Sequence, residues 1–414
     1  MDPDQLRSKA SAKPMFSILS TCSESRARSG IISVNNKTML TPGFITHSPK
    51  GSPQNLTPDL LQKLSQLKAV NLCAKDFSAD LETLKNYNQG GHKFFNLQDK
   101  ILNLSYKDCS EFDSVTCVKN SLYVSMPGGK RELSVADYFF LCEILDCDMC
   151  TLMSFDVSFY PGNKSIRKCV DKTLTWLDCF LTTICNKSSQ RKERFYFAVI
   201  QGSQNIFERF RCIRSILERQ AHYRSKNIDP IQGYVLGGFG LDEINEDRKH
   251  HIDLSLQMLP PEFARMVPGL EQPDQILDAI ASGVDVFSNN YPTKIAALGH
   301  ALVFPLDLLK KSPRKRHMTD DVSFSNELDL NDPIYKTDVF PILNDCPCYT
   351  CTNHSKCYIH HLLNTHEMLA TILLVSHNLY HYLEWFKYIR EAIELDRFEE
   401  YHRLFLDLYY IFCN

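Results

Sequence analysis

The 414-residue sequence has no excess of charge of either sign, because 46 Lys and Arg residues stand against 49 Asp and Glu residues. The formal net charge of −3 excludes a generally basic surface, so any contact with nucleic acid must come from a local patch. A long apolar run is also missing. The most apolar helical stretch, 369–375, ends at Ser376, far short of the roughly 20 residues that span a bilayer. We therefore expect no transmembrane helix.

The N-terminal segment lacks the apolar stretch of a secretory signal, since Met1 is followed closely by Asp2, Asp4 and Arg7. We expect the chain to stay out of oxidising compartments and predict that its 16 cysteines are reduced thiols. The composition is 43 % hydrophobic and 23 % charged, which is ordinary for a globular protein of one large domain or two smaller ones. No repeat of fixed period is evident.

Helical patterns alternate with short apolar runs along most of the chain. Before residue 46, extended runs separated by turn signals predict antiparallel strands. Helix and strand patterns then alternate, as 60–67 with 69–72, 135–145 with 149–155, 173–185 with 196–200, 207–219 with 233–236, 252–259 with 264–267 and 274–281 with 284–287. This order is typical of a parallel sheet built from β/α units. We predict an α/β fold, a (β/α)8 TIM barrel, with an open doubly wound sheet as the structural alternative.

The character of the sequence changes after Phe304. Residues 310–338 are polar and include a basic cluster from Lys310 to His317, which predicts an exposed insertion. This cluster could contact phosphate groups, and a solvated loop without a partner is the alternative. Beyond Cys357 the apolar residues recur at helical spacing. The predicted organisation is a barrel over 1–308, an exposed basic insertion over 309–338 and a helical subdomain over 339–414 that completes the barrel.

Three cysteines, Cys346, Cys348 and Cys351, lie within one short turn. Their sulfurs can converge on a single cation and leave one corner of a tetrahedron for a fourth ligand, which predicts a structural Zn²⁺ site. Spacing alone leaves the fourth ligand open among Cys357, His354, His360, His366 and His377. A second group, Cys142, Cys147 and Cys150, falls partly in a helix and partly in a strand. We interpret it as buried thiols whose side chains need not converge.

Several predicted strands are followed by residues suited to ligand binding. Asp156 follows the strand near 149–155, Gln201 ends another, and the pair Gly237 and Gly238 follows a third. The carboxyl ends of barrel strands face the usual site of ligand binding. A glutamine amide can hydrogen-bond the edge of a heterocycle, and glycines allow close approach. An ordinary turn or cap is the alternative for each.

Taken in order, these segments resemble the tRNA-guanine transglycosylase family over nearly the whole chain. The motifs that carry the resemblance are Ala27-Arg28-Ser29-Gly30, Thr41-Pro42-Gly43-Phe44, Leu56-Thr57-Pro58, Ser154-Phe155-Asp156, Val199-Ile200-Gln201-Gly202, Gly233 to Gly238, Gly283-Val284-Asp285-Val286-Phe287, and Cys346, Cys348, Cys351 with His377. The resemblance implies a (β/α)8 barrel with a zinc subdomain and selects His377 as the fourth zinc ligand. It also implies that the purine is contacted by Asp156, Gln201, Gly237 and Gly238.

Members of that family exchange guanine in a tRNA anticodon for a deazaguanine such as queuine, using one aspartate as nucleophile and another as general acid/base. Here Ser288 stands where the nucleophile is expected. We interpret the segment 88–93 as the counterpart of the other acidic motif, with Asn88 in place of the acid and His92 and Lys93 in place of Phe-Gln. An amide cannot exchange a proton near neutral pH, and no histidine is evident to activate the serine.

The resemblance with these changes implies a non-catalytic subunit that forms a heterodimer with a catalytic queuine tRNA-ribosyltransferase subunit and supports tRNA binding. No catalytic residue is assigned, and queuine binding is left open. One alternative is a competent transglycosylase that uses Asp285 or Asp156. Another is an interaction protein without RNA contact. The resemblance also implies a cytoplasmic location and leaves open peripheral attachment to the mitochondrial outer membrane.

Overall fold

The computed structural model describes residues 14–77, 80–106, 116–118, 121–126, 129–157, 160–186, 193–226, 228–239, 245–309 and 326–411. The strands are β1 (Phe16–Thr21), β2 (Arg28–Val34), β3 (Lys37–Thr41), β4 (Gly43–His47), β5 (Ala69–Cys73), β6 (Ile101–Ser105), β7 (Thr116–Val118), β8 (Ser121–Met126), β9 (Gly129–Ser134), β10 (Met149–Thr151), β11 (Phe195–Ile200), β12 (Gly233–Leu236), β13 (Ala264–Pro268), β14 (Val286–Asn289), β15 (His300–Leu302) and β16 (Glu327–Asp329). The helices are α1 (Pro58–Lys63), α2 (Ala74–Phe77), α3 (Leu81–Tyr87), α4 (Gly91–Phe94), α5 (Val135–Ile144), α6 (Asn163–Asn186), α7 (Ile206–Arg224), α8 (Asn245–Gln257), α9 (Pro273–Ser282), α10 (Tyr291–Ala297), α11 (Tyr349–Asn353), α12 (Lys356–Asn364), α13 (Met368–Glu394) and α14 (Phe398–Ile411).

Eight parallel strands close into a barrel within this part of the chain. Their order is β4, β5, β6, β10, β11, β12, β13 and β14, and β14 pairs with β4. Every residue of β11 is buried, because side chains fill the interior of such a barrel while helices cover its outside. The predicted (β/α)8 TIM barrel is confirmed, and the open doubly wound alternative is wrong.

The predicted helices and strands are present, and their ends follow from local chemistry. Helix α5 begins at a capping box in which the Ser134 hydroxyl accepts a hydrogen bond from the Asp137 amide. Helix α9 begins with Pro273 and ends at Gly283, whose φ of 101° is the left-handed conformation that glycine adopts without strain. The strand predicted over 149–155 is shorter, since β10 ends at Thr151.

An antiparallel sheet of β1, β2 and β3 closes one end of the barrel, and this antiparallel pairing is as predicted. The predicted extended run does not continue through Ile45 as part of that sheet, because β4 begins after Pro42 and pairs in parallel within the barrel. Sheet and barrel interior share one apolar cluster, formed by Phe16, Ile32, Val34, Met39, Ile45, Ala69, Ile101, Met149, Phe195, Phe197, Val199, Val235, Ala264, Met266 and Val286. Several of these residues begin their strands, so the sheet covers the amino-terminal ends of the barrel strands.

A buried carboxylate fastens this sheet to the barrel. The Asp148 side chain has no exposed surface. It accepts hydrogen bonds from Lys37 Nζ at 2.9 Å and Asn35 Nδ2 at 2.8 Å, and contacts His92 Nε2 at 2.8 Å. Burial raises the pKa of Asp148, but hydrogen bonds and charges from His92 and Lys37 outweigh it and hold this pKa well below its ordinary value.

Asp148→Asn is expected to lower the free energy of unfolding by about 3 kcal/mol at pH 7, because it leaves Lys37 without its buried partner. Chemical denaturation followed by circular dichroism measures this. The matched control is Glu400→Gln, which removes a carboxylate from an ion pair with Arg397 in which the two side chains are 40 and 42 % exposed. This exposed pair should contribute much less to the free energy of unfolding than the contacts of Asp148 do. Equal losses in both variants at pH 7 would contradict the argument.

The same pair of variants tests the sign of the pH dependence. The pKa of Asp148 is lower in the folded chain than in the unfolded chain, so its contribution is present above the unfolded value of about 3.9 and is lost as the pH falls below it. The difference in stability between wild type and Asp148→Asn should therefore narrow as the pH falls below about 4.

A second antiparallel sheet, β7–β8–β9, stands between β6 and α5 and was not anticipated from the sequence. Near the carboxyl terminus, β16 pairs with β15 and Leu330 is fully buried. The predicted exposed insertion is therefore folded where the structure describes it, from residue 326 onward. The basic cluster Lys310 to His317 lies outside the described residues. None of the helices in the described ranges combines the length and apolar content needed to cross a membrane.

Helix α13 covers the junction of β14 and β4. The Phe386 ring lies 6.2 Å from the ring of Phe44 on β4 and 5.8 Å from the ring of Phe287 on β14, measured between centroids. Arg390 Nη1 donates to the Pro42 carbonyl at 2.8 Å. The helical prediction beyond Cys357 is thus confirmed, with α13 in the place of an outer barrel helix. The proposed boundaries at 308 and 338 stay predictions.

Candidate functional site

A cavity opens at the carboxyl ends of the barrel strands. The described residues that line it are Asn71, Asn103, Ser105, Tyr106, Thr151, Ser154, Asp156, Val199, Val235, Gly237, Gly238, Phe239, Met266, Pro268 and Ser288. They come from the ends of different strands, which is where the (β/α)8 fold places its binding sites. The one carboxylate among these lining residues belongs to Asp156.

Asp156 lies in a buried hydrogen-bond network. Tyr106 Oη donates to Asp156 Oδ2, and Gln201 Nε2 donates to Asp156 Oδ1. Ser154 Oγ lies 3.0 Å from both Tyr106 Oη and Gln201 Nε2. Burial, and then the charge of Asp156, raises the pKa of Tyr106 well above its ordinary value. The phenol therefore stays protonated and donates to the carboxylate at neutral pH.

Glycine is required at the wall beside Gln201. A Cβ atom at Gly237 would lie 2.6 Å from Gln201 Nε2, and Gly238 has a φ of 77°. Arg209 stabilises this wall. Its Nη2 donates a hydrogen bond to the Gly237 carbonyl at 3.1 Å, and its guanidinium lies over the Phe239 ring. Gln201 Oε1 is buried without a hydrogen-bond partner. The structure thus brings together the four residues predicted to contact a base.

Ser288 lies on β14, 3 % exposed, and lines the same cavity. The neighbouring wall is neutral and polar. Asn103 Nδ2 donates to Asn71 Oδ1 at 2.7 Å, and Asn71 Nδ2 donates to Ser105 Oγ at 2.9 Å. Sequence analysis did not single out these residues, because an isolated Asn or Ser in a strand carries no recognisable motif.

The segment 88–93 does not belong to this site. Asn88 is the exposed C-cap residue of α3. The Gly91 amide donates to the Leu145 carbonyl at 2.8 Å, and His92 contacts Asp148, which directly precedes β10. These residues therefore lie at the amino-terminal end of the barrel, and the interpretation of Asn88, His92 and Lys93 as site residues is wrong. The ends of β5 and β6 supply the cavity wall instead.

Asp285 also lies at the amino-terminal end of the barrel. Its two carboxylate oxygens accept hydrogen bonds from Arg28 Nε at 2.8 Å and Arg28 Nη2 at 2.7 Å. The Arg265 amide donates to it as well. Asp285 precedes β14 and Ser288 lies within that strand. Asp285 therefore forms a structural ion pair with Arg28 and is not among the residues that line the cavity.

A second candidate site lies in the carboxyl-terminal region. The ligand atoms of Cys346, Cys348, Cys351 and His377 all lie within 4.8 Å of one another, and the group could hold a metal ion. His377 Nδ1 is 3.9, 3.4 and 3.3 Å from the three sulfurs, respectively. Hydrogen bonds from Cys346 and Cys351 lower the pKa of Cys348 well below its ordinary value, which favours the thiolate that metals bind.

The surroundings of the cluster fix the orientation of its ligands. His377 Nε2 lies 2.9 Å from the Leu302 carbonyl, so the proton belongs on Nε2 and the Nδ1 lone pair faces the sulfurs. His360 Nδ1 lies 2.9 Å from the Leu330 carbonyl, and Cys357 Sγ lies 3.1 Å from Ser355 Oγ. His354 and His366 are not part of the group of described residues that could hold the ion. The structure therefore places His377 in the fourth position that spacing alone left open.

The other cysteine group is buried, as predicted. Cys142, Cys147 and Cys150 are each fully inaccessible to solvent, and the described cysteines are free thiols. Their environment includes the Tyr138 hydroxyl, which Cys150 Sγ approaches at 3.5 Å. Within the described ranges, they are not part of a group suited to hold a metal ion.

Comparison with known proteins agrees with this architecture. A family model described as queuine tRNA-ribosyltransferase matches residues 22–411. Several similar curated proteins are named queuine tRNA-ribosyltransferase accessory subunit 2. The protein from Danio rerio is 31 % identical over 387 residues, which cover 87 % of this chain and 90 % of the relative. The protein from Homo sapiens is 29 % identical over 394 residues, covering 89 % and 92 %, respectively. The protein from Anopheles gambiae is 29 % identical over 397 residues, covering 92 % and 88 %.

These matches span nearly the whole chain and include the barrel strands, the residues of the cavity and the cysteine cluster. The resemblance stated from the sequence motifs is confirmed. The chain belongs to the queuine tRNA-ribosyltransferase family of tRNA-guanine transglycosylases.

Proposed function

We propose that this chain is the non-catalytic subunit of a heterodimeric queuine tRNA-ribosyltransferase. It supports a catalytic homologue and tRNA binding while anticodon guanine is exchanged for queuine. The names of its relatives, accessory subunits of such an enzyme, support this role. The observation that carries the proposal is Ser288 in the cavity, where the family's motif leads one to expect a carboxylate nucleophile.

The chemistry of base exchange makes this substitution decisive. Exchange at a ribose carbon requires a nucleophile and a group that moves a proton. A serine hydroxyl needs a base to activate it, and the described residues that line the cavity include no histidine. Asp156 is engaged by Tyr106 and Gln201. The competent alternative is disfavoured further because Asp285 is bound to Arg28 at the opposite end.

The same cavity retains features that suit a planar base. We assign Asp156, Gln201, Gly237 and Gly238 to that role. A carboxylate accepts N–H donors of a purine edge, and Gln201 Oε1 is a buried acceptor without a partner. The missing Cβ atoms at Gly237 and Gly238 leave room for the Gln201 side chain, so that its amide can lie at the wall beside Asp156. Queuine itself belongs to this class of ligand.

Zn²⁺ is the metal that the cysteine cluster fits best. With Zn–S of about 2.3 Å and Zn–N of about 2.0 Å, a tetrahedral site separates sulfur from nitrogen by roughly 3.5 Å. The three Sγ to Nδ1 distances of 3.9, 3.4 and 3.3 Å bracket this value. Four protein ligands leave no open position for a substrate. The ion would therefore serve structure, by joining α11 to α13.

A surface for the catalytic partner is offered by exposed apolar side chains near the cluster. The apolar patch consists of Ile334, Val339, Phe340 and Tyr358, which are 65, 70, 63 and 39 % exposed. The Lys356 amide donates to the Phe340 carbonyl at 2.8 Å, so the segment with Val339 and Phe340 lies beside the start of α12. Exposed large apolar side chains that lie in one region of a protein are typical of protein interfaces.

A contact between tRNA phosphates and the basic cluster Lys310 to His317 stays a prediction, and those residues lie outside the described ranges. The family resemblance supports the location of the chain. We place the chain in the cytoplasm, with peripheral attachment to the mitochondrial outer membrane as the alternative, and fractionation of cells distinguishes them.

The exchange reaction tests the assignment directly. The purified chain is incubated with tRNA and labelled guanine, alone and with the catalytic homologue. We expect no incorporation by the chain alone and incorporation by the pair, with a rate that changes less than about twofold when Asp156→Asn is introduced into this chain. Incorporation by the chain alone that disappears in Asp156→Asn would establish the competent alternative. Native mass measurement of the pair, with and without tRNA, reports its stoichiometry.

A further inference from the structure

We propose that Tyr106 is an internal competitor that closes the Asp156 side of the cavity to a guanine-type base. The inference rests on the proposed base-contacting role of Asp156 and Gln201. Tyr106 directly follows β6 and lines the cavity with only 4 % of its surface exposed. Its hydroxyl thus occupies the position from which a ligand would otherwise reach the carboxylate.

The contacts of Asp156 define what a base must displace. Oδ2 accepts from the Tyr106 hydroxyl, and Oδ1 accepts from Gln201 Nε2. Guanine offers two adjacent N–H donors on one edge, and a carboxylate binds such an edge through both oxygens. The phenol O–H supplies one of these donations from within the chain. Binding of guanine would therefore exchange one charge-assisted hydrogen bond for another instead of adding a new one.

The phenol is also poorly placed to move aside. Its oxygen lies 3.0 Å from Ser154 Oγ in addition to its bond with Asp156. A buried hydroxyl that leaves both partners loses hydrogen bonds without regaining water. Removal of the hydroxyl alone would leave the ring in place and take away the donor that competes with a ligand at Oδ2. The affinity for a guanine-type base should then rise.

Equilibrium dialysis with labelled guanine and the full-length chain tests this. Tyr106→Phe should bind guanine about 10- to 100-fold more tightly than wild type, the range expected for one hydrogen bond to a charged acceptor. In Tyr106→Phe combined with Asp156→Asn the gain should disappear. The matched control is Tyr234→Phe, which removes a buried hydroxyl bonded to Gln220 outside the cavity and should bind guanine as wild type does.

The outcomes separate this inference from the proposed function. No gain in Tyr106→Phe, an equal gain in Tyr234→Phe, or a gain that persists with Asp156→Asn would each overturn the competitor role. Exchange activity of the heterodimer is read independently. Suppose that Tyr106→Phe binds guanine more tightly than wild type, and that the catalytic homologue exchanges guanine equally well without this chain. The accessory role would then be overturned, and the role of Tyr106 would be supported. A circular dichroism spectrum for each variant verifies that it is folded.

Discussion

Cys351→Ser is expected to abolish stoichiometric zinc binding and to lower the melting temperature by roughly 10 °C. Structural zinc contributes folding free energy outright, because the ligands converge only in the folded chain. Here the cluster joins the start of α11 to His377 of α13, and His377 Nε2 contacts the carbonyl of Leu302, the last residue of β15. For a chain of 414 residues a shift of this size corresponds to about 9 kcal/mol of folding free energy, slightly less than the roughly 10 to 16 kcal/mol with which structural Zn²⁺ binds.

Metal analysis by mass spectrometry and thermal unfolding measure the two effects. The matched control is Cys357→Ser, which lies on the same segment and contacts Ser355 rather than the cluster. We expect the control to retain one zinc per chain and to melt within about 2 °C of wild type. Wild-type protein that holds no zinc after purification in zinc-containing medium, or equal melting temperatures of the two variants, would refute the site.

Phe340→Asp is expected to weaken the heterodimer by about 100-fold. A charge placed at the centre of an apolar interface loses the burial of the ring and leaves a desolvated carboxylate, and residues of this kind carry up to several kcal/mol of binding free energy. Because the Phe340 side chain is 63 % exposed in the isolated chain, its folding should not suffer. Sedimentation or native mass spectrometry of the pair measures the dissociation constant.

Phe207→Asp is the matched control for the interface. Phe207 is 81 % exposed on α7, which follows β11, whereas the apolar patch adjoins helices near β14 and β4. Its replacement should leave the dissociation constant within about threefold of wild type. If both substitutions weaken the pair equally, or Phe340→Asp does not weaken it, the partner binds elsewhere.

Much of the fold can be predicted from patterns within short segments of the sequence. Buried parallel strands such as β11 are continuous apolar runs, and each is separated from the next by a helical pattern. The three sulfurs of the metal cluster are predictable because they share one turn. His377 follows Cys351 by 26 residues, so only the family resemblance could select it. Asp156, Gln201, Gly237 and Gly238 were predictable as residues at the ends of strands in one parallel sheet.

The rest depends on contacts between distant segments. Tyr106 and Asn103 belong to no recognisable motif. They line the cavity because β6 pairs with β5 on one side and with β10 on the other. The interpretation of the segment 88–93 was wrong, because Gly91 packs against the Leu145 carbonyl at the amino-terminal end of the barrel. Arg209 was missed as well, since a buried arginine inside a helix has no distinguishing pattern. Strand pairing, and not composition, decides which end of the barrel a residue occupies.

The contact between β14 and β4 is the last strand contact of the barrel that can form while the chain is being synthesised. β4 is the first strand of the barrel to leave the ribosome and β14 is the last, and α13 covers their contact through Phe386. A nascent chain that ends before α13 holds all eight strands but leaves Phe44 and Phe287 exposed to water. A chain truncated just before Met368 should therefore keep these rings uncovered, and we expect chaperones to retain it.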